Sequence, residues 1–207
     1  MKQFKPVNKV VLPVDLVYKR LGARLGRAGR LNTEIESGLK TRVEDIINLS
    51  EKIFTPRTVV SYGNVTVKDS AVAFDTGFII RSKTVADLFK NAFKGYGFLV
   101  TVGEGISLKT AECLNEKNVF DALVFDACGS VAVELMAEYT YNAVSEMEIC
   151  AGNAVTKRFS PGYPDWDVSG QEYFLHWLGA QNIDVWLTDS FQMMPEKSIS
   201  AVFGVYK

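Results

Sequence analysis

Apolar positions along the chain follow two rhythms, one of three to four residues and one of two. Helical spacing is clearest at Ile35, Leu39, Val43, Ile46, Ile47 and Ile53. This run is opened by the capping box Thr33-x-x-Glu36 and stopped by Pro56. Val119 to Ser145 is apolar nearly all round, with Leu123, Val124, Phe125, Val131, Val133, Leu135 and Met136 set among small residues such as Ala127, Gly129 and Ala132. That composition predicts a buried central helix whose neighbours approach closely. Lys83 to Phe93 reads as a helix, and so does Ser169 to Gly179, ended by its glycine. A short helix over Asp15 to Leu21 would take Asp15 as its cap.

The two-residue rhythm marks strands. In Ser198 to Tyr206, Ile199, Ala201, Phe203 and Val205 alternate with the remaining positions, as in a half-buried antiparallel strand. Thr58 to Lys68 alternates around Gly63-Asn64, which reads as a strand or as a hairpin turning there. Val10 to Val14, Ala71 to Phe74, Phe78 to Ile80, Phe98 to Val102 and Ile183 to Phe191 read as further strands. Met193 to Lys197 makes the turn between the Ile183 to Phe191 and Ser198 to Tyr206 strands. Strands at both ends and helices in the middle place the chain in the α+β class, with a mixed or antiparallel central sheet and long helices. Its 207 residues, 47% of them apolar, suffice for a sizeable core and are expected to form a single domain.

Composition removes several function classes. Lys and Arg number 23 against 24 Asp and Glu, a net charge of −1, so no overall field draws nucleic acid or an anionic membrane. The basic run Lys19 to Arg30 is a local exception and reads as a solvated loop or, within residues 1–32, as a docking arm for an acidic partner. No apolar run is long enough to span a bilayer, and the N-terminus has no secretory pattern. Cys113, Cys128 and Cys150 are widely spaced and form no metal-ligand pattern, which points to a reduced, cytoplasmic setting and buried, inert thiols. The only histidine, His176, stands in apolar context and reads as a core or interface residue rather than half of a hydrolytic pair.

Three places carry candidate chemistry. Arg158-Phe159-Ser160-Pro161-Gly162-Tyr163-Pro164-Asp165-Trp166 is a loop stiffened by two prolines, with a guanidinium at its entrance and aromatic rings beyond. It can present a carboxylate-binding fork and backbone groups to a small anionic or zwitterionic ligand, or it can be a rigid turn whose rings pack. Glu134 follows seven uncharged residues, so it is expected to be buried and paired, and Glu138 lies one turn on. Gly103-Glu104-Gly105 sits between a strand and a helix like a nucleotide-binding loop. It lacks both the third glycine and a lysine, so it reads as a strand-to-helix turn.

Arg158-x-x-Pro161-Gly162-Tyr163-Pro164 resembles the RxxPGYP signature of the activation (reactivation) domain of cobalamin-dependent methionine synthase. Glu134-Leu135-Met136-Ala137-Glu138-Tyr139 is similar to that family's AEAFAEY-like helix segment, and Leu187 to Pro195 with Ser198-Ile199-Ser200 to its LTESFAMWPGASVS stretch. The resemblance implies a domain that binds S-adenosylmethionine and caps a cobalamin domain holding inactive cob(II)alamin. An electron from flavodoxin or a similar donor, with the methyl group of S-adenosylmethionine, then restores methylcobalamin. The sequence begins at Met1 and has no DxHxxG-type cobalamin motif, so the expectation is a stand-alone protein acting in trans on a cobalamin-binding methionine synthase chain.

By the same resemblance the S-adenosylmethionine contacts fall on Glu134, Arg158, Ser160, Gly162 and Tyr163. Arg158 suits the carboxylate, Glu134 the ammonium or a ribose hydroxyl, and Ser160 and Gly162 the backbone contacts; Tyr163 would stack or close the pocket. The residue-level alternative for Glu134 and Arg158 is a buried structural ion pair with each other. Two other functions stay open: a corrinoid-protein adaptor that has lost the ligand, and an ordinary methyltransferase using the Gly103–Gly105 turn. No side chain is expected to act as nucleophile or base, since methyl transfer to cobalt needs positioning and water exclusion.

Overall fold

The computed structural model describes residues 6–24, 37–163 and 165–207. The Thr33–Glu36 capping box, Ile35 and the basic run from residue 25 onward lie outside the described residues. The architecture is α+β and antiparallel throughout. Six strands stand in the order β3-β2-β1-β4-β8-β5, formed by β1 (Arg57–Lys68), β2 (Ala71–Phe74), β3 (Ile79–Arg81), β4 (Lys94–Thr101), β5 (Ala154–Val155) and β8 (Ser198–Tyr206). A separate two-stranded ribbon pairs β6 (Trp186–Leu187) with β7 (Met193–Met194).

Strand alternation divides the core in two. Tyr96, Phe98 and Val100 of β4, with Ala201, Phe203 and Val205 of β8, face helices α1 (Val14–Arg24), α2 (Ser37–Ile53) and α5 (Val119–Cys150). The α4 helix (Gly105–Asn115) packs on α5. Phe98 and Phe203 are fully buried there, each stabilising the fold by about 1.5–3 kcal/mol. Leu99 and Val202 face the other way, toward α3 (Lys83–Leu88), the β2–β3 hairpin and α6 (Gln171–Leu178). On this second face Gly97 stands where a Cβ would lie 2.5 Å from Trp177 and 2.8 Å from Phe174. A glycine there lets two large rings approach the strand backbone closely.

Several expectations change. Gly63-Asn64 is not a turn: β1 runs straight through it, pairing with β4 from Arg57 to Asn64 and with β2 from Val65 to Lys68. The glycine is there because Asp75 of the β2–β3 turn closes on it, with Asp75 Oδ1 2.6 Å from where a Cβ would be. Asn64 donates to the same carboxylate through its backbone N–H (3.0 Å) and Nδ2 (2.8 Å). Val10 to Pro13 is irregular rather than a strand. Its polar backbone is served by Glu51, which accepts the Leu12 N–H at 2.7 Å. Asp15 lies inside the first turn of α1 instead of capping it, because the Pro13 carbonyl already accepts the first amides. The helix expected over Lys83 to Phe93 stops at Leu88, and α5 runs on past Ser145 to Cys150.

The segment Ile183 to Phe191 forms a 3-10 turn (Ala180–Ile183) and the two-residue β6 instead of a long strand. Met193 and Met194, expected in a turn, are the partner strand β7. His176 is exposed on α6, since its face of that short helix points away from the sheet. Cys113 and Cys128 are buried as expected, whereas Cys150, at the last position of α5, is exposed.

Candidate functional site

The signature loop begins as an edge strand. From Ala154 the chain runs antiparallel to β8, pairing Ala154 with Tyr206 and Val155 with Val205. The Thr156 N–H donates to the Gly204 carbonyl at 2.9 Å, and Phe159 and Val202 exchange both backbone hydrogen bonds at 2.8 Å. Ser160 Oγ then donates to the Ser200 carbonyl at 2.7 Å, extending the ladder by one side-chain bond. The side chains alternate across this edge. Arg158 reaches the α5 face, whereas Phe159 packs into the core of the second face.

Arg158 and Glu134 are brought together. Arg158 Nη2 donates to Glu134 Oε2 at 2.9 Å. Glu134 was expected at the buried end of an apolar stretch, but its side chain is 62% exposed and that of Arg158 33%. The reason is helical phase. Glu134, Glu138, Asn142 and Glu146 form an exposed stripe at four-residue spacing along α5. The ion pair is therefore a surface pair, worth about 0–1 kcal/mol to the fold, so its groups can exchange partners at little cost.

The other three predicted residues follow the pair along the loop. Gly162 has φ +92, and a Cβ there would meet nothing within 4 Å, so the glycine serves the left-handed backbone and not a close approach. Its N–H is committed to the Trp166 carbonyl at 2.7 Å. The Ser160 hydroxyl is likewise committed to Ser200, as above. Tyr163 is 68% exposed, with its ring free of the core. Trp166 is buried among Phe174 and the second core, 5.5 Å from Phe174 between ring centroids.

Asp165 holds the far end of the loop, a role the sequence reading missed. Its Oδ1 accepts from Ser82 Oγ at 2.7 Å, and Oδ2 accepts from the N–H groups of Lys83 (2.6 Å) and Thr84 (3.2 Å) at the start of α3. The Ser82 hydroxyl first, with Thr84 and the Lys83 amide, holds the Asp165 carboxyl down to about 2. The loop is thus tied to the sheet edge at one end and to α3 at the other.

A pocket of about 610 Å³ opens on the second face between the β2–β3 hairpin, the 165–170 segment and α6. None of the five predicted residues lines it; it meets the loop only at Asp165 and Trp166. The Glu134–Arg158 pair lies at the surface, and its two opposite charges make it the better candidate for a zwitterionic ligand. The Gly103–Gly105 turn is filled from behind: Cβ atoms would meet Thr55 Oγ1 at 1.9 Å and Ile53 Cγ2 at 2.7 Å. The Gly103 N–H donates to Thr101 Oγ1 at 3.1 Å, so these glycines serve packing of the turn. Among the described residues no group of His, Cys, Asp and Glu could hold a metal ion, and no helix is long and apolar enough to cross a membrane.

The family model for the activation domain of vitamin B12-dependent methionine synthase matches residues 79–206, which runs from β3 through the long helix and the signature loop to the end of β8. The chain belongs to this activation-domain family. A solved structure described as the MetH reactivation domain bound to AdoHcy has the same fold, with a TM-score of 0.65 over 97% of this chain and 81% of that one, at 15% identity. The fold likeness therefore takes in the helices that precede the stretch matched by the activation-domain model. No curated protein matches the sequence.

Proposed function

We propose that this activation-domain chain binds S-adenosylmethionine at the Glu134–Arg158 pair and supports reductive methylation of a corrinoid held by a separate cobalamin-binding methionine synthase chain. Flavodoxin or a similar protein would be the electron donor, and the setting cytoplasmic. The observation that carries the reading is the exposed pair, 2.9 Å apart, at the entrance of the RxxPGYP loop in a member of this family. The residues fit the ligand. Arg158 matches its carboxylate, Glu134 its ammonium, and both are near enough to solvent to trade one another for the zwitterion. Ser160 and Gly162 contribute through their carbonyl oxygens, since the Ser160 hydroxyl and the Gly162 N–H are engaged within the loop. Tyr163 is the exposed ring placed to cover the adenosine in this reading. When bound, S-adenosylmethionine supplies an electrophilic methyl group; this chain's residues position it and exclude water.

Calorimetry with S-adenosylmethionine and S-adenosylhomocysteine tests the site. Arg158→Ala is expected to weaken binding by about tenfold or more, the value of a charge-assisted hydrogen-bond pair. Parent protein that binds neither compound, or a variant that binds as well as the parent, rejects the reading. The trans activity is tested by cob(II)alamin methylation with a methionine synthase chain lacking its own activation domain. Methylation that proceeds equally without this protein rejects that part.

A further inference from the structure

We infer that the pocket between the β2–β3 hairpin and α6 is a second ligand site, one that takes a planar aromatic ring bearing an anionic group. It does not rest on the proposed S-adenosylmethionine site, with which it shares no predicted residue. At about 610 Å³ it lies within the usual range for small-molecule sites. One wall is a ready stacking surface. Trp177 lies 4.9 Å from Phe78 at an interplanar angle of 14°, and its indole is fixed by a hydrogen bond from Nε1 to Thr76 Oγ1 at 2.8 Å. Tyr173, 70% exposed, stands at the rim. A flat ring would continue this aromatic series and remove exposed aromatic surface from water.

The charge preference follows from which polar groups are already engaged. Two carboxylates line the pocket, and three of their four oxygens are engaged. Asp165 uses both oxygens on Ser82, Lys83 and Thr84, and Asp167 Oδ1 accepts from the Ser169 N–H (2.9 Å) and Oγ (2.6 Å). Arg81 and His176 also line it, and neither side chain makes a hydrogen bond or ion pair among the described residues. One carboxylate oxygen, Asp167 Oδ2, is thus left beside two unengaged donor side chains, and a guanidinium fork beside an aromatic wall recognises phosphate or carboxylate on a flat ring.

The experiment titrates 1-naphthyl phosphate into the full chain by calorimetry, alongside 1-naphthol, inorganic phosphate and the cationic ring 1-methylnicotinamide. The expected order is naphthyl phosphate tighter than naphthol, with phosphate and the cation weakest. Arg81→Ala should weaken naphthyl phosphate by about tenfold and leave naphthol unchanged, and Trp177→Leu should weaken both. Thermal midpoints establish that each variant is folded. Because Trp177 packs in the core, His176→Ala is the second surface variant, expected to weaken the phosphate compound alone. Parent protein that does not bind naphthyl phosphate, a cation that binds more tightly, or binding indifferent to both Arg81→Ala and His176→Ala overturns the inference. The same loss in Arg158→Ala as in Arg81→Ala would place the compound elsewhere and overturn it equally.

Discussion

Glu148 is a buried carboxylate whose removal should loosen the approach to the signature loop. It lies near the end of α5, 5% exposed, and accepts hydrogen bonds from Lys94 Nζ (2.8 Å), Tyr96 Oη (2.6 Å) and Asn153 Nδ2 (2.7 Å). Glu148→Gln keeps the shape, removes the charge and, with its oxygen left to Lys94 and Tyr96, turns an N–H₂ group toward the Asn153 amide donor. Losing one member of a buried pair typically costs about 3–5 kcal/mol. Lys94 is 24% exposed and regains some hydration, and the glutamine oxygen keeps the Lys94 and Tyr96 donors, so about 2–3 kcal/mol is expected. For a chain of this size that lowers the melting midpoint by about 5–10 °C. The sign with pH is fixed. Burial acts to raise the Glu148 pKa, but Lys94, Tyr96 and Asn153 together outweigh it, and the carboxyl titrates below its ordinary value. A depressed carboxyl contributes stability that is complete above its unfolded pKa of about 4.3 and fades as pH falls through the folded value. Urea unfolding of parent and variant at pH 7, 5 and 3.5 should therefore give a full gap at the first two and a narrower one at the last. A gap below about 1 kcal/mol at pH 7, or one just as wide at pH 3.5, would refute the reasoning.

Asp165→Asn should free the far end of the loop. Hydrogen exchange is expected to quicken at the Lys83 and Thr84 amides and across 161–166, and in the parent the same protection should persist at pH 5 and fade between about pH 4 and 2. Identical exchange in parent and variant would exclude the anchor. Brief alkylation of the native protein with iodoacetamide at pH 8 should mark Cys150 alone. Cys113 and Cys128 are buried, and burial pushes the Cys128 thiol up to about 11; peptide mapping that finds Cys128 modified as fast as Cys150 contradicts this.

The sequence was most legible where one residue type leaves few conformations. The two prolines and Gly162 marked the loop, and alternation marked β8 and much of β1. Long-range effects were illegible. Gly63 looks like a turn residue until Asp75, twelve positions on, is seen closing on it. Glu134 looks buried among its neighbours along the chain but not among those around the helix, where the four-residue spacing of Glu134, Glu138, Asn142 and Glu146 is the signal of an exposed stripe. Glu148 lies off that stripe, and its burial follows from β4 packing beneath it, which no local pattern announces. Arg81 and Asp165 acquire their places only when the hairpin, α3 and the loop meet.

The edge-strand path of residues 154–160 explains how one short segment serves both faces of the sheet. A strand sends successive side chains to opposite sides. Laid against β8, it directs Arg158 to Glu134 on α5 and Phe159 into the core beneath α6, while Ser160 closes the ladder on Ser200. The segment is held before this stretch by Asn153 on Glu148 and after it by Asp165 on α3. Between those anchors the exposed groups, Arg158 and Tyr163, carry little stabilising work of their own. A binding surface fixed at its ends and free of structural duty in its middle loses little entropy when a ligand arrives. For that reason substitutions at the anchors should weaken both fold and binding, whereas substitutions at Arg158 should separate the two, leaving stability within about 1 kcal/mol of the parent.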